Sequence, residues 1–355
     1  MMSAVPQTSG PYVVTLGTAG GPRWWNAPGG AQRSGISTAV VVRGRVYLVD
    51  CGQGAGRQLK NAGLRVEQVR GVFLTHLHSD HTVDLAPLLL FSQFERKDSA
   101  LAPIAVRGPG RRGKLPPVSS RASGTPRPVA PENPTPGTED LFEALSAAYA
   151  TDINDRVFDS CTRPPSDHFE VRDIELPDGT GFDPNDAVAP DMEPFPVFRD
   201  EIVEVTATLV SHHPTAPAFA FRFDTAEGSV TVSGDTAPCR NLVRLAQDTD
   251  LLLHEAIDLN LIAKQYTDVT LMKATMDHHR RAHTTAREAG EIATAAGARA
   301  LALHHLVPAF APHESWLEAR HTFSGDLFVP DDLQVISFAA PAGAGTVSER
   351  AKAHR

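Results

Sequence analysis

Cysteine is scarce in this chain of 355 residues: Cys51, Cys161 and Cys239 are the three present. They lie far apart and form no CxxC pair, which argues against a thiolate zinc cluster and reads as reduced thiols. Positive charge is also in deficit. There are 33 Lys and Arg against 42 Asp and Glu, a formal net charge of −9. Tight binding to a phosphate backbone depends on Lys and Arg releasing counterions, so nucleic acid is not expected as a partner, although a local basic patch stays open. No apolar run approaches the roughly 20 residues of a membrane span. The opening residues, MMSAVPQTSGPYVV, lack the basic start and apolar run of a signal peptide, so a cytoplasmic protein is expected. Histidine is what the chain has in excess, 15 of them, and that is the first pointer to metal chemistry.

Strand-like runs, β-branched and bounded by Gly, occur at 12–16 and 38–50, the second turning at Arg43-Gly44. A Gly-rich loop carrying Trp24 and Trp25 lies between them. A short helix fits 56–63, a buried strand 69–76, and a helix follows where TVDLAPLLLFSQFER has apolar residues at helical spacing. Residues 107–137 then hold eight Pro, five Gly, six basic residues and one acid, a composition that cannot bury a core. Residues 139–158 look helical, and 161–200, with ten acids against three bases, look irregular. Residues 107–200 therefore read as an insertion. Strands resume at 201–212, 218–225, 229–234, 250–255 and 300–305, with a helix at 284–296 and a last helix and strand within 313–338. The expectation is one domain over 1–340 with a frayed tail at 341–355. Two runs of strands, each closed by helices, predict an α/β fold: a four-layer αββα sandwich.

The densest signal is His76-Leu77-His78-Ser79-Asp80-His81, directly after a strand. In an extended loop, side chains two apart point the same way, so His76 and His78 can grip one ion. Asp80 and His81 turn at a helix start and can face a second. Imidazole and carboxylate suit Zn²⁺, and also Mn²⁺ or Fe. Later strands end in ligand-type residues too: His212 or its neighbour His213, Asp235, and His304 or His305. Strand alternation lets one residue of each adjacent pair face the metals.

The HxHxDH run resembles the signature of the metallo-β-lactamase superfamily. Asp50-Cys51-Gly52-Gln53-Gly54 with Arg57-Gln58-Leu59, Ser233-Gly234-Asp235-Thr236, His254-Glu255-Ala256, His283-Thr284-Thr285 and Leu303-His304-His305-Leu306 are similar to segments of its ribonuclease Z and arylsulfatase-like branch. The resemblance covers roughly 12–106 and 201–310. It implies two divalent metal ions, Zn²⁺ foremost, with His76, His78 and His212 on the first, Asp80, His81 and His305 on the second, and Asp235 bridging both. It favours His212 over His213 and His305 over His304. A hydrolase follows, in which Asp80 also serves catalysis and His283 and His254 assist proton transfer, with Glu255 orienting one of them. Asp50 could orient a ligand histidine, and Asp84 could do the same or simply sit on its helix. Trp24 or Trp25 could stack on a flat substrate. His278 and His279 read as solvated loop residues, and His168, His313, His321 and His354 as surface.

Ribonuclease Z proteins carry an RNA-gripping arm between the equivalents of His212 and Asp235, and 23 positions leave no room for it. With the acidic balance, this favours cleavage of a small-molecule ester (phosphodiester, aryl sulfate or lactone) over a nucleic acid. A ribonuclease Z-type endoribonuclease acting on precursor tRNA is the alternative, and a non-catalytic metal-binding module a third. The basic run Arg107, Arg111, Arg112, Lys114, Arg121 and Arg127 reads as a solvated loop. Helix 139–158, with Phe142, Leu145, Tyr149 and Phe158, could supply an apolar lid or a homodimer contact.

Overall fold

The computed structural model describes residues 10–24, 33–96, 100–119 and 121–339. In chain order its strands are β1 (Tyr12–Gly17), β2 (Ser37–Val42), β3 (Arg45–Val49), β4 (Val69–Phe73), β5 (Ile104–Pro109), β6 (Phe169–Ile174) and β7 (Phe195–Arg199). There follow β8 (Glu204–Leu209), β9 (Phe219–Thr225), β10 (Gly228–Val232), β11 (Leu251–Ile257), β12 (Ala300–Val307), β13 (Asp326–Phe328) and β14 (Val335–Ser337). The β2–β3 turn falls at Arg43-Gly44, where both φ values are positive, 48° and 76°, as a type I′ hairpin requires.

Two seven-stranded sheets result, ordered β14-β1-β2-β3-β4-β5-β6 and β13-β12-β11-β10-β9-β8-β7. Aliphatic and aromatic residues on their inner faces, among them Val40, Tyr47, Phe73, Phe221, Phe223 and Leu253, form one core between the sheets. The outer face of the first sheet packs Val72 and Ile104 against Leu59 and Leu89 of the helices Ala55–Asn61 and Leu85–Glu95. The outer face of the second packs Leu252 and Leu301 against Leu242, Ala289 and Ala293 of the helices Arg240–Leu245 and Ala286–Ala295. These are the four αββα layers. The pairs β3–β4 and β4–β5 are parallel, as are β10–β11 and β11–β12. The site forms where the chain leaves the carboxyl ends of these strands, as is usual for parallel sheets.

Residues 107–200 differ from the expected insertion. FEVRDI becomes β6, the edge of the first sheet, and FPVFR becomes β7, the edge of the second. An edge strand has one partner and tolerates the charges and the proline, Pro196, that made these runs look irregular. Nor do residues 139–158 form one helix. They break at Tyr149 into Thr138–Ala148 and Ala150–Asp159, and Phe142 and Leu145 pack on the outer face of the first sheet. This is a structural layer rather than a lid, with Phe158 pointing into solvent. The tail 341–355 lies outside the described residues, and no described helix is long and apolar enough to cross a membrane.

Candidate metal centre

Four of the groups come from the turn after β4. His76 is fully buried, His78 lies at the exposed rim, and Asp80 and His81 open the short helix Ser79–Thr82. His212 follows β8, Asp235 follows β10, and His305 lies within β12. In the β11–β12 ladder Glu255 faces His304 and Ala256 faces Leu306, so His305 is the extra residue of a β-bulge. Its φ of 47° is left-handed, a conformation that costs a non-glycine residue about 1–2 kcal/mol and that over-represents functional positions. The bulge turns His305 toward the other ligand-type residues. His304 points instead at Thr38, its Nδ1 3.4 Å from the hydroxyl oxygen. Gly20 must be glycine here, because a Cβ would stand 2.5 Å from the His305 ring.

His76 Nε2 lies 3.0 Å from His78 Nδ1, and His212 Nε2 lies 3.2 Å from the same atom. Donor atoms about 2.0–2.1 Å from one tetrahedral zinc stand at about this spacing. Asp80, His81 and His305 form a second group whose ligand atoms lie within 4.8 Å of one another. Asp235 faces both. Its Oδ2 is 3.9 Å from Nε2 of His76 and of His212, while its Oδ1 is 3.5 Å from His81 Nε2 and 3.3 Å from His305 Nδ1. Buried polar atoms are normally partnered, yet His81 Nε2, Asp235 Oδ1 and His305 Nδ1 are buried without a hydrogen bond. Orphaned donors of this type, converging, fit a pair of cations.

Neighbours fix the rings. Asp50 Oδ2 accepts from His81 Nδ1 at 2.8 Å, and its Oδ1 accepts from the Thr75 amide at 2.8 Å. The Ala282 carbonyl accepts from His212 Nδ1 at 2.9 Å, leaving Nε2 of both histidines free to ligate. The Gly21 amide donates to Asp80 Oδ2 at 2.9 Å. Burial, reinforced by neighbouring histidines, drives His76 well below the usual histidine range, and burial does the same to His212 and, less, to His78. These are the neutral imidazoles that metal binding demands. For Asp235 burial opposes ionisation, but His305 and His81 outweigh it and hold the carboxyl well below its ordinary value. Asp84 ties down the Gly56 amide at 3.3 Å and belongs to the packing of a helix.

Glu255, fully buried, accepts from the Thr236 amide at 2.6 Å and faces His283. Burial would lower His283, but the Glu255 carboxylate, by charge and hydrogen bond, and then Asp235, push it up to about 9. His254 does not join them. Leu253 and Glu255 point inward, so alternation sends His254 to the outer layer, where its Nδ1 meets the Glu255 carbonyl at 2.8 Å. Burial lowers it to about 4; the expected proton-transfer role is corrected. His278 and His279 sit half-buried on the helix Val269–Ala282 rather than in a loop, with the His279 ring 5.6 Å from that of His283. His168 is buried, not on the surface, while His313 and His321 are exposed; His354 lies outside the described residues. Trp24, 83% exposed, lines a cavity of about 720 Å³ with Arg23, Arg57 and Asp80. Trp25 lies outside the described residues. The Gly21 contact and the His305 bulge have no counterpart in the sequence reading: a backbone amide has no sequence signature, and a bulge breaks the period on which alternation relies.

Residues 37–105 match the family model described as Anti-Pycsar protein Apyc1. A ribonuclease Z of Mycolicibacterium gilvum (strain PYR-GCK) is 29% identical over 323 residues, which cover 88% of this chain and 95% of that protein. Among solved structures, the metallo-β-lactamase fold protein YhfI from Bacillus subtilis matches with a TM-score of 0.56 at 20% identity, over 92% of this chain and 99% of that one. The short form of human tRNase Z matches with a TM-score of 0.57 at 20% identity, over 93% and 100%. The relatives overturn one expectation. The expectation of a small-molecule ester rather than a nucleic acid conflicts with near full-length similarity to proteins named for cutting RNA. Overall charge and one missing arm were too coarse a guide, because contacts with RNA depend on local cations.

Proposed function

We propose that this chain, a metallo-β-lactamase-superfamily hydrolase that resembles the ribonuclease Z branch, is a metal-dependent phosphodiesterase that cuts RNA. The reading is carried by Asp235, whose two oxygens are divided between the His76/His212 pair and the His81/His305 pair. His76, His78 and His212 would hold one divalent cation, Asp80, His81 and His305 another, and Asp235 would hold both; Zn²⁺ suits this set. Such an ion pair, when bound, supplies an activated water and positive charge for phosphoryl oxygens. Glu255, at His283 Nδ1, keeps the ring protonated at the edge of the same cluster, and His283 gives its other proton, the one on Nε2, to the oxygen that leaves phosphorus. Water is consumed and one P–O ester bond is broken. The RNA substrate is supported by the ribonuclease Z relatives, whose similarity runs over 88% of the chain.

The test is cleavage of a precursor tRNA by the zinc- or manganese-loaded protein, beside the Asp235→Ala variant. Endonucleolytic cleavage by the wild type and none by the variant is expected. An intact precursor after prolonged incubation with loaded wild-type protein would falsify the RNA reading.

A further inference from the structure

Residues 113–119 and 121–135 stand apart from the fold. They belong to no helix or strand and are nearly all exposed. A stretch longer than about 12–15 residues without secondary structure is uncommon in a compact domain and tends to bind or cover something. This one holds six prolines, and its charges are Lys114, Arg121 and Arg127 against Glu132, a net +2 (3 − 1) in a chain of −9. Lys114 is paired with Asp183. Arg121 and Arg127 are exposed and have no carboxylate partner among the described residues.

The loop is rooted beside the metal centre. The Gly113 amide donates to Thr135 Oγ1 at 3.2 Å and closes its base. Next to that base, Arg112 donates to the Pro184 carbonyl at 2.8 Å, to Asn185 Oδ1 at 2.7 Å and to the Pro214 carbonyl at 3.3 Å. Pro214 is two residues beyond His212, and the hydroxyl of Thr215 lies 2.7 Å from His78 Nε2. Between β9 and β10, where an arm would be sought, the chain makes a tight turn through Ala226 and Glu227.

We propose that loop 113–135 is the RNA-gripping arm of this protein, relocated to the connection after β5, with Arg121 and Arg127 holding backbone phosphates on the His78/His212 flank of the cleft. The inference rests on the reading of the chain as an RNA phosphodiesterase. Proline fixes φ, so the loop is partly ordered beforehand and loses less freedom when RNA settles on it. Phosphate contacts of this kind position a substrate without reading its sequence.

The experiment compares the full-length, metal-loaded wild type with R121E/R127E and R121Q/R127Q between 50 and 200 mM KCl. Three quantities are read: KM and kcat for precursor tRNA, turnover of bis(p-nitrophenyl) phosphate, and binding of a fluorescent hairpin RNA. Once neither arginine can hold a phosphate, KM for the precursor should rise roughly tenfold and the slope of log KM against log salt should flatten by about 1.4–1.8. Turnover of the small diester should stay unchanged. Equal KM and salt slope in wild type and variants overturns the proposal, as does loss of small-diester turnover in both variants, which would tie these arginines to the fold. A wild type that leaves precursor tRNA intact, yet binds the hairpin more tightly than the variants do, sinks the catalytic reading and keeps the arm. A wild type with no affinity for the hairpin removes the arm.

Discussion

The carboxylate of Glu255 reaches Nδ1 of His283 with both oxygens, at 2.9 and 3.1 Å. One carboxylate thus sets both the orientation of the ring and its proton affinity. His283 keeps its proton up to about pH 9, so a step that needs the protonated ring runs fully below that pH and fails as pH rises through it. A pH–rate profile should show an alkaline limb near 9. In Glu255→Gln the favourable charge is gone, and the limb should move to lower pH. His283→Ala should lower kcat by about 10²–10⁴ with metal content unchanged. A profile with the limb in the same place in wild type and Glu255→Gln would remove His283 from proton transfer.

Asp50 stands one step away from the candidate metal ligands. It fixes His81 through a 2.8 Å hydrogen bond to Nδ1 and so keeps Nε2 turned inward. Removing such a partner typically costs 10- to 100-fold in metal affinity. Asp50→Asn should show that loss in a competition titration with a zinc chelator, with activity restored by excess metal. Wild-type affinity in the variant would reduce Asp50 to a turn residue.

Asp235→Ala removes the oxygens that face both histidine groups, whereas Asp80→Ala touches one. Elemental analysis should find Asp235→Ala depleted in both ions and Asp80→Ala depleted in one. Hydrolysis should be lost in each, with the circular dichroism of the wild type. Full metal content in Asp235→Ala would rule out a bridging role.

Much of this is legible in the sequence because it follows local rules. A strand followed by four ligand-type residues in six positions, HLHSDH, marks the turn after β4, and the ends of β8 and β10 supply His212 and Asp235. Legibility fails where neighbours override local pattern. Edge position lets FPVFR form β7 despite its proline. The 14-residue helix Val269–Ala282 begins at Asp268, whose carboxylate accepts from the amides of Thr270 and Leu271; its polar composition hides it. His254 departs from expectation because a matched segment gives an order of residues, not the face of the strand on which each one lies.

The ligand candidates are drawn from both halves of the molecule. His76, His78, Asp80 and His81 follow a strand of one sheet, and His212, Asp235 and His305 belong to the other. Cations seated among them would rivet the two halves together at one end, so occupancy would also contribute to mechanical integrity. Anything that binds the native chain and not the unfolded one raises its stability by about 2.7 kcal/mol at a hundredfold excess over Kd. Chelation should therefore lower the melting temperature and expose the core at this end first, read as faster amide exchange in the segments after β4 and β10 while the opposite end keeps its protection.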